Sequence, residues 1–186
     1  DQEPSKLHRS DVTKKPVISF LMAACKRPRL AMVALQSLKR QTVQEWELIV
    51  SPDDGEDYSA LERSDARVTV VQSGEVQTGP AHARNRAMAI ASGTLVGVLD
   101  DDDYLEPVFV AQALSYFKSG KAKFATAPTR YVLDPPGSLV RQIGPFATMD
   151  IDQFGQQFGT MHAIGRREIY PQWKPGFAED VMHTCK

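Results

Sequence analysis

Apolar and polar positions fall into alternating blocks along the first 120 residues. Short runs rich in strand formers predict strands over Val17–Met22, Trp46–Val50, Arg67–Val71 and Leu95–Leu99. Between them lie helical patterns. Behind Pro28, the positions Leu30, Val33, Ala34, Leu35 and Leu38 recur at helical spacing. Pro80 opens an Ala-rich helix that runs through Ala91 and stops at Gly93, and Pro107 starts another that reaches about Lys118. Ser51-Pro52-Asp53-Asp54-Gly55 is a turn signal. Beyond residue 120 the rhythm loosens, with strands expected over Lys123–Leu133, Leu139–Ile143 and Thr160–Ile164 and a loop at Pro135-Pro136-Gly137. Four strands alternating with helical stretches imply an α/β fold: a mostly parallel central sheet covered by helices on both faces. Residues 1–16 are polar and read as a tail or linker, and residues 17–186 as one domain. Glu179–Lys186 reads as the opening of a helix, so the native sequence is expected to continue.

Composition narrows the function classes. The 186 residues are 42% hydrophobic and 24% charged, which suits one globular domain with a buried core. A net charge of −1 excludes a strong basic field, so nucleic acid is not an expected partner. Cys25 and Cys185 are too few for a disulfide scaffold, and no Cys/His cluster has zinc spacing. No apolar run approaches the ~20 residues that span a bilayer. The polar opening lacks the features of a secretory leader, and with the low cysteine count this points to the cytoplasm.

The chemistry concentrates beyond the strand ends, where open α/β sheets bind ligands. Asp100-Asp101-Asp102-Asp103 follows the fourth strand directly. At ~4 Å and an effective dielectric of ~20, each neighbouring pair of carboxylates costs about 4 kcal/mol. A divalent cation such as Mg²⁺ or Mn²⁺ would offset that repulsion, and such ions favour carboxylates together with substrate phosphates. The alternative is a solvated acidic turn at a helix start. Asp53-Asp54 follows the second strand on the same sheet edge and also suits a simple turn. Gly79–Arg86 forms a helix start of the kind that attracts phosphate, to which Arg84 and Arg86 add charge, although solvated surface arginines are the plainer reading. Glu179-Asp180 opens a helix and offers a general base or only a favourable dipole contact. His82 and His162 read as structural, Trp46 as core, and Trp173, in a Pro- and Gly-containing loop, as a ligand contact.

Together these segments resemble the family 2 glycosyltransferases over residues 16–186. Five ordered pieces carry the resemblance: Val17–Met22 followed by a loop and Arg27-Pro28; Gln41-Thr42 ahead of Trp46–Val50; Asp53-Asp54-Gly55; Ala83-Arg84-Asn85-Arg86; and Leu99–Pro107. The resemblance implies the GT-A fold and transfer of a sugar, with inversion, from a nucleoside-diphosphate donor. UDP-sugars head the donor list, and the acceptor is a carbohydrate, lipid-linked or other hydroxyl. It implies that Asp53, with Asp54, contacts the base, that the backbone at Ala23 and Ala24 passes the nucleoside, and that Arg84 lies near the phosphates. Asp100 and Asp102 would form the DxD motif that holds Mn²⁺ or Mg²⁺ and the diphosphate, with Asp101 between them also among the donor-binding residues and Asp103 in support. Asp180, or its neighbour Glu179, would be the base that deprotonates the acceptor. Further domains of a longer chain would fit the same picture. The loop Ala23-Ala24-Cys25-Lys26-Arg27-Pro28 departs from the family's usual Pro-Thr-Tyr-Asn type, and Ser51-Pro52 replaces its usual apolar pair. Two alternatives stand beside this reading: a haloacid-dehalogenase-like phosphotransferase using the Asp after Leu99, and a nucleotide-sugar-binding domain without turnover.

Overall fold

Strand β1 (Ile18–Ala24) lies at the centre of the fold, paired in parallel with β2 (Trp46–Pro52) on one side and β4 (Leu95–Val98) on the other. The computed structural model describes residues 15–120, 122–132, 139–143 and 163–175. The main sheet has six strands in the order β3-β2-β1-β4-β8-β5, completed by β3 (Val68–Val70), β8 (Ile164–Arg166) and β5 (Phe124–Ala125). The first four are parallel; β8 runs antiparallel to both β4 and β5. A separate antiparallel pair joins β6 (Thr129–Val132) to β7 (Leu139–Ile143).

The side-chain alternation of β1 sorts the core into two layers. Ile18, Phe20 and Met22 point to one face, against α1 (Pro28–Lys39), α2 (Ser59–Ser64) and α4 (Phe109–Phe117). Leu21 points to the other, with Ile49, Val96 and Val98, against α3 (Pro80–Ile90), Tyr170 and Trp173. The helices thus cover both faces, as the alternating pattern predicts. The buried stripe of α1 is Ala31, Ala34, Leu35 and Leu38, while Leu30 and Val33 face solvent; a period of 3.6 places them off the buried arc.

Several boundaries differ from the sequence reading. The expected strand Lys123–Leu133 divides at Pro128 between two sheets, because proline cannot donate to a ladder. The last predicted strand is found at Ile164–Arg166, and residues 160–162 lie outside the described residues. Helix α2 was not anticipated; at six residues it is too short to show a period. Residues 1–14 of the predicted tail, the loop at 135–137 and the segment 176–186 also lie outside the described residues. Among the described residues, no helix is long and apolar enough to cross a membrane.

Candidate active site

The parallel strands β1, β2 and β4 end on one edge, and the chain turns back there between β1 and β4, the place where open α/β sheets open a crevice. Of the predicted acidic residues, Asp53, Asp54 and Asp100 to Asp103 gather at this edge, but their carboxylates do different work. Asp53, just beyond β2, is buried. Its Oδ1 accepts from Thr78 Oγ1 at 2.5 Å and Arg86 Nη2 at 3.0 Å, and its Oδ2 from the Gly79 backbone N–H at 2.7 Å. Burial alone would raise its pKa, but these bonds outweigh it and hold the carboxyl below the usual range. Gly79 meets Asp53 with φ of 90°, a conformation that only glycine adopts readily, just before Pro80 starts α3. The first N–H of this helix start therefore faces a carboxylate of the protein itself. Asp54 ties the other way: its Oδ2 accepts from the Lys26 backbone N–H and, at 3.1 Å, from the Tyr58 hydroxyl.

Three successive N–H groups in the loop after β1 are held by side-chain oxygens. Cys25 donates to Asp101 Oδ2 at 3.0 Å, Lys26 to Asp54, and Arg27 to the Tyr58 hydroxyl at 3.3 Å. Burial raises the Tyr58 pKa and keeps its hydroxyl protonated. Ala23 and Ala24 end β1 immediately before this loop, and the Ala24 carbonyl accepts from Asp53 N at 2.9 Å.

The four aspartates after β4 divide by exposure. Asp101 is 1% exposed and turned inward, where it also pairs with Arg27 at 3.0 Å. Burial, with Asp102 and Asp100 adding to it, raises its pKa despite the Cys25 N–H and Arg27. This inward packing ties Asp101 to the loop and corrects the expectation that it contacts the donor, because its buried carboxylate is taken up by the Cys25 N–H and Arg27. Asp102 is 45% exposed and touches Arg27; Asp100 is 27% exposed and pairs with Arg84 at 2.9 Å. Asp103 is exposed on the turn that its N–H closes to Asp100 O at 3.1 Å. Among the described residues no group of three or more His, Cys, Asp or Glu side chains converges as a metal cage. One or two outward carboxylates fit a different arrangement, in which a hard divalent cation takes few protein oxygens and completes its shell on phosphates.

Arg84 and Arg86 are not the solvated surface arginines of the plainer reading. Their side chains are 4% and 14% exposed, and from one helix they reach the ends of two strands, Asp100 beyond β4 and Asp53 beyond β2. Trp173 corrects another expectation. It is 3% exposed, packs 5.4 Å from Tyr170, and its backbone is clamped by Asn85, so it belongs to the core. Trp46 is core as expected, and His82 is exposed on α3. His162, Glu179 and Asp180 lie outside the described residues.

Residues to which the sequence assigned no role of their own prove central. Gln41 is buried; its amide donates to Glu106 O at 2.8 Å and its Oε1 accepts from Val110 N at 2.9 Å, while Thr42 N bonds Pro107 O at 2.8 Å. The pair Gln41-Thr42 thus fastens the segment that leaves the acidic turn and satisfies an orphan donor at the start of α4. Arg27 and Tyr58 carry the loop after β1. The one signal for Arg27 in the sequence is the loop's departure from the Pro-Thr-Tyr-Asn type; Tyr58 has none.

A family model described as glycosyl transferase family 2 matches residues 19–173. The putative colanic acid biosynthesis glycosyl transferase WcaA of Escherichia coli K12 is 30% identical over 124 residues, 64% of this chain and 43% of that protein. The E. coli UDP-Glc:alpha-D-GlcNAc-diphosphoundecaprenol beta-1,3-glucosyltransferase WfgD is 34% identical over 90 residues, 47% of this chain and 35% of that protein. The chain therefore spans less than half the length of these relatives. Among solved structures, S. aureus TarS 1-349 in complex with UDP superposes with a TM-score of 0.67 at 19% identity, covering 92% of this chain and 54% of that one. The mannosyltransferase PcManGT of Pyrobaculum calidifontis, in complex with GDP-Man and Mn²⁺, gives 0.63 at 16% identity, covering 91% and 51%. At these identities the likeness is one of fold.

Proposed function

The chain belongs to glycosyl transferase family 2, and from that premise we propose that it transfers a sugar from a UDP-sugar to an acceptor hydroxyl, with inversion and with a divalent cation. The observation that carries this reading is the pair of outward carboxylates, Asp100 and Asp102, on the edge where β1, β2 and β4 end. The nucleoside lies along Ala23 and Ala24 with Asp53 and Asp54 beside it. Asp53 presents little surface, so its contribution to the base is a remaining lone pair and the shape it imposes on the strand end. Asp102 and Asp100 hold Mn²⁺ or Mg²⁺, Asp103 supports them, and the buried Arg84 fixes Asp100. Asp101 acts one layer back by shaping the loop. The bound cation supplies Lewis acidity to a departing diphosphate.

The chain's own residues do the rest. A hydroxyl attacks the anomeric carbon only as its proton is removed, so a carboxylate must stand across the sugar from the diphosphate. Asp180, or Glu179, takes that place, and attack from the opposite face inverts the centre. The acceptor is a carbohydrate or lipid-linked hydroxyl, in keeping with the diphosphoundecaprenol-linked sugar in the name of one relative.

The test is thermal unfolding with UDP in Mn²⁺ and in chelator. At ~100 times its dissociation constant UDP should add about 2.7 kcal/mol. For a domain of this size that is a rise of roughly 5–11 °C. Equal rises in Mn²⁺ and in chelator would remove the cation from the donor site.

A further inference from the structure

Resting on that reading of the donor site, we infer that Arg27 is a built-in counter-cation to the acidic turn, one that keeps a free divalent cation off Asp102 until a nucleoside diphosphate brings compensating charge. One terminal nitrogen of Arg27 lies 3.0 Å from Asp101 Oδ1 and the other touches Asp102 Oδ2, so a single guanidinium spans the inward and the outward carboxylate. The backbone that carries it is fixed at three successive residues, while the guanidinium itself is half-exposed. The Arg27 N–H is held by Tyr58, the two preceding N–H groups by Asp101 and Asp54, and Pro28 starts α1 directly after it.

The charge balance gives this placement its meaning. Asp100, Asp101 and Asp102 face two guanidinium groups, those of Arg84 and Arg27. Among these paired groups three negative charges face two positive ones, with only the exposed Asp103 beside them, and a bare divalent ion at Asp102 would have to sit next to a guanidinium that does not release its proton. A diphosphate changes the sum. It brings several negative charges to the same edge, so that cation and nucleotide enter together and each strengthens the other's binding. Arg27 thereby sets how strongly cation binding depends on the donor, a property separate from holding the cation itself.

The experiment titrates Mn²⁺ alone, followed by electron paramagnetic resonance of the free ion, into the wild-type chain and Arg27→Gln, then repeats both titrations with UDP. Wild type should bind Mn²⁺ weakly alone and more tightly with UDP. Arg27→Gln should bind Mn²⁺ alone on the order of tenfold more tightly, within the ~5–150-fold span of coupled sites, and should gain less from UDP. Arg27→Lys, which keeps the charge, should behave as wild type. Adding Asp102→Asn to Arg27→Gln should abolish the gain. Arg27→Met, which keeps the aliphatic stem, repeats the measurement if the glutamine variant folds poorly. An affinity for Mn²⁺ alone that stays within about twofold of wild type in the uncharged variants overturns the inference. If wild type binds no UDP even with Mn²⁺ while Arg27→Gln still gains Mn²⁺, the donor reading fails and the counter-cation role stands.

Discussion

Replacing Asp53 tests whether the strand end is held as the geometry says. Its carboxylate accepts from Thr78, Gly79 and Arg86 at 2.5, 2.7 and 3.0 Å while almost wholly buried. Bonds to a charged group contribute about 1.5–3 kcal/mol each, but they do not add when they share one carboxylate. Asp53→Ala also leaves the Arg86 guanidinium buried with one fewer anion, and breaking such a pair costs about 3–5 kcal/mol. The expected loss is therefore about 3–5 kcal/mol in urea unfolding at unchanged m, or a melting point lower by roughly 6–20 °C. The pH dependence has a definite sign. Asp53 in the folded chain titrates below its ordinary value of 3.8. Its contribution is complete at neutral pH and is lost as pH falls below that ordinary value and through the folded one. The gap between wild type and Asp53→Asn should accordingly narrow below pH ~4. A loss under about 1 kcal/mol for Asp53→Ala at pH 7 would show that the three contacts are not what holds the start of α3.

Two further outcomes are expected. A Cβ at Gly93 would stand 2.8 Å from the Ser19 backbone N and 3.0 Å from Ile18 C, and backbone cannot step aside as a side-chain tip can. Gly93→Ala should thus destabilise by about 1–3 kcal/mol in urea unfolding, and a neutral result would refute the close approach. Asp180→Asn should keep UDP affinity nearly unchanged by calorimetry while lowering transfer by roughly 10²–10⁴-fold; full transfer would pass the role to Glu179.

The repeating strands and helices were legible because a buried parallel strand is a continuous apolar run and a proline stands at the start of α1 and α3 and just ahead of α4. What escaped was set by tertiary contact. Nothing local separates Asp101 from Asp102, yet one is buried under the loop and the other faces out. Nothing local shows that Arg84 and Arg86 turn inward, since their partners are 16 and 33 residues away in the chain. Trp173 was misread because a loop rich in Pro and Gly can still be packed by a neighbour, here Tyr170 and the clamp from Asn85. The family match sets aside the haloacid-dehalogenase-like alternative. Gln41 and Thr42 entered only as part of a resemblance, and the structure gives their physical reason: they tie the exit from the acidic turn.

Strand β4 is flanked on one side by β1 and on the other by β8, through Leu95 opposite Arg166 and Val96 opposite Gly165. A ribosome completes β4 long before it reaches its second partner. At about 5–20 residues per second, the stretch from Val98 to Arg166 takes on the order of 3–14 s to synthesise. Throughout that interval a short apolar strand offers an open row of backbone donors and acceptors, the kind of edge that recruits other chains. Fragments that stop before residue 164 inherit the same exposed edge permanently, so they should self-associate and make poor reporters of donor binding.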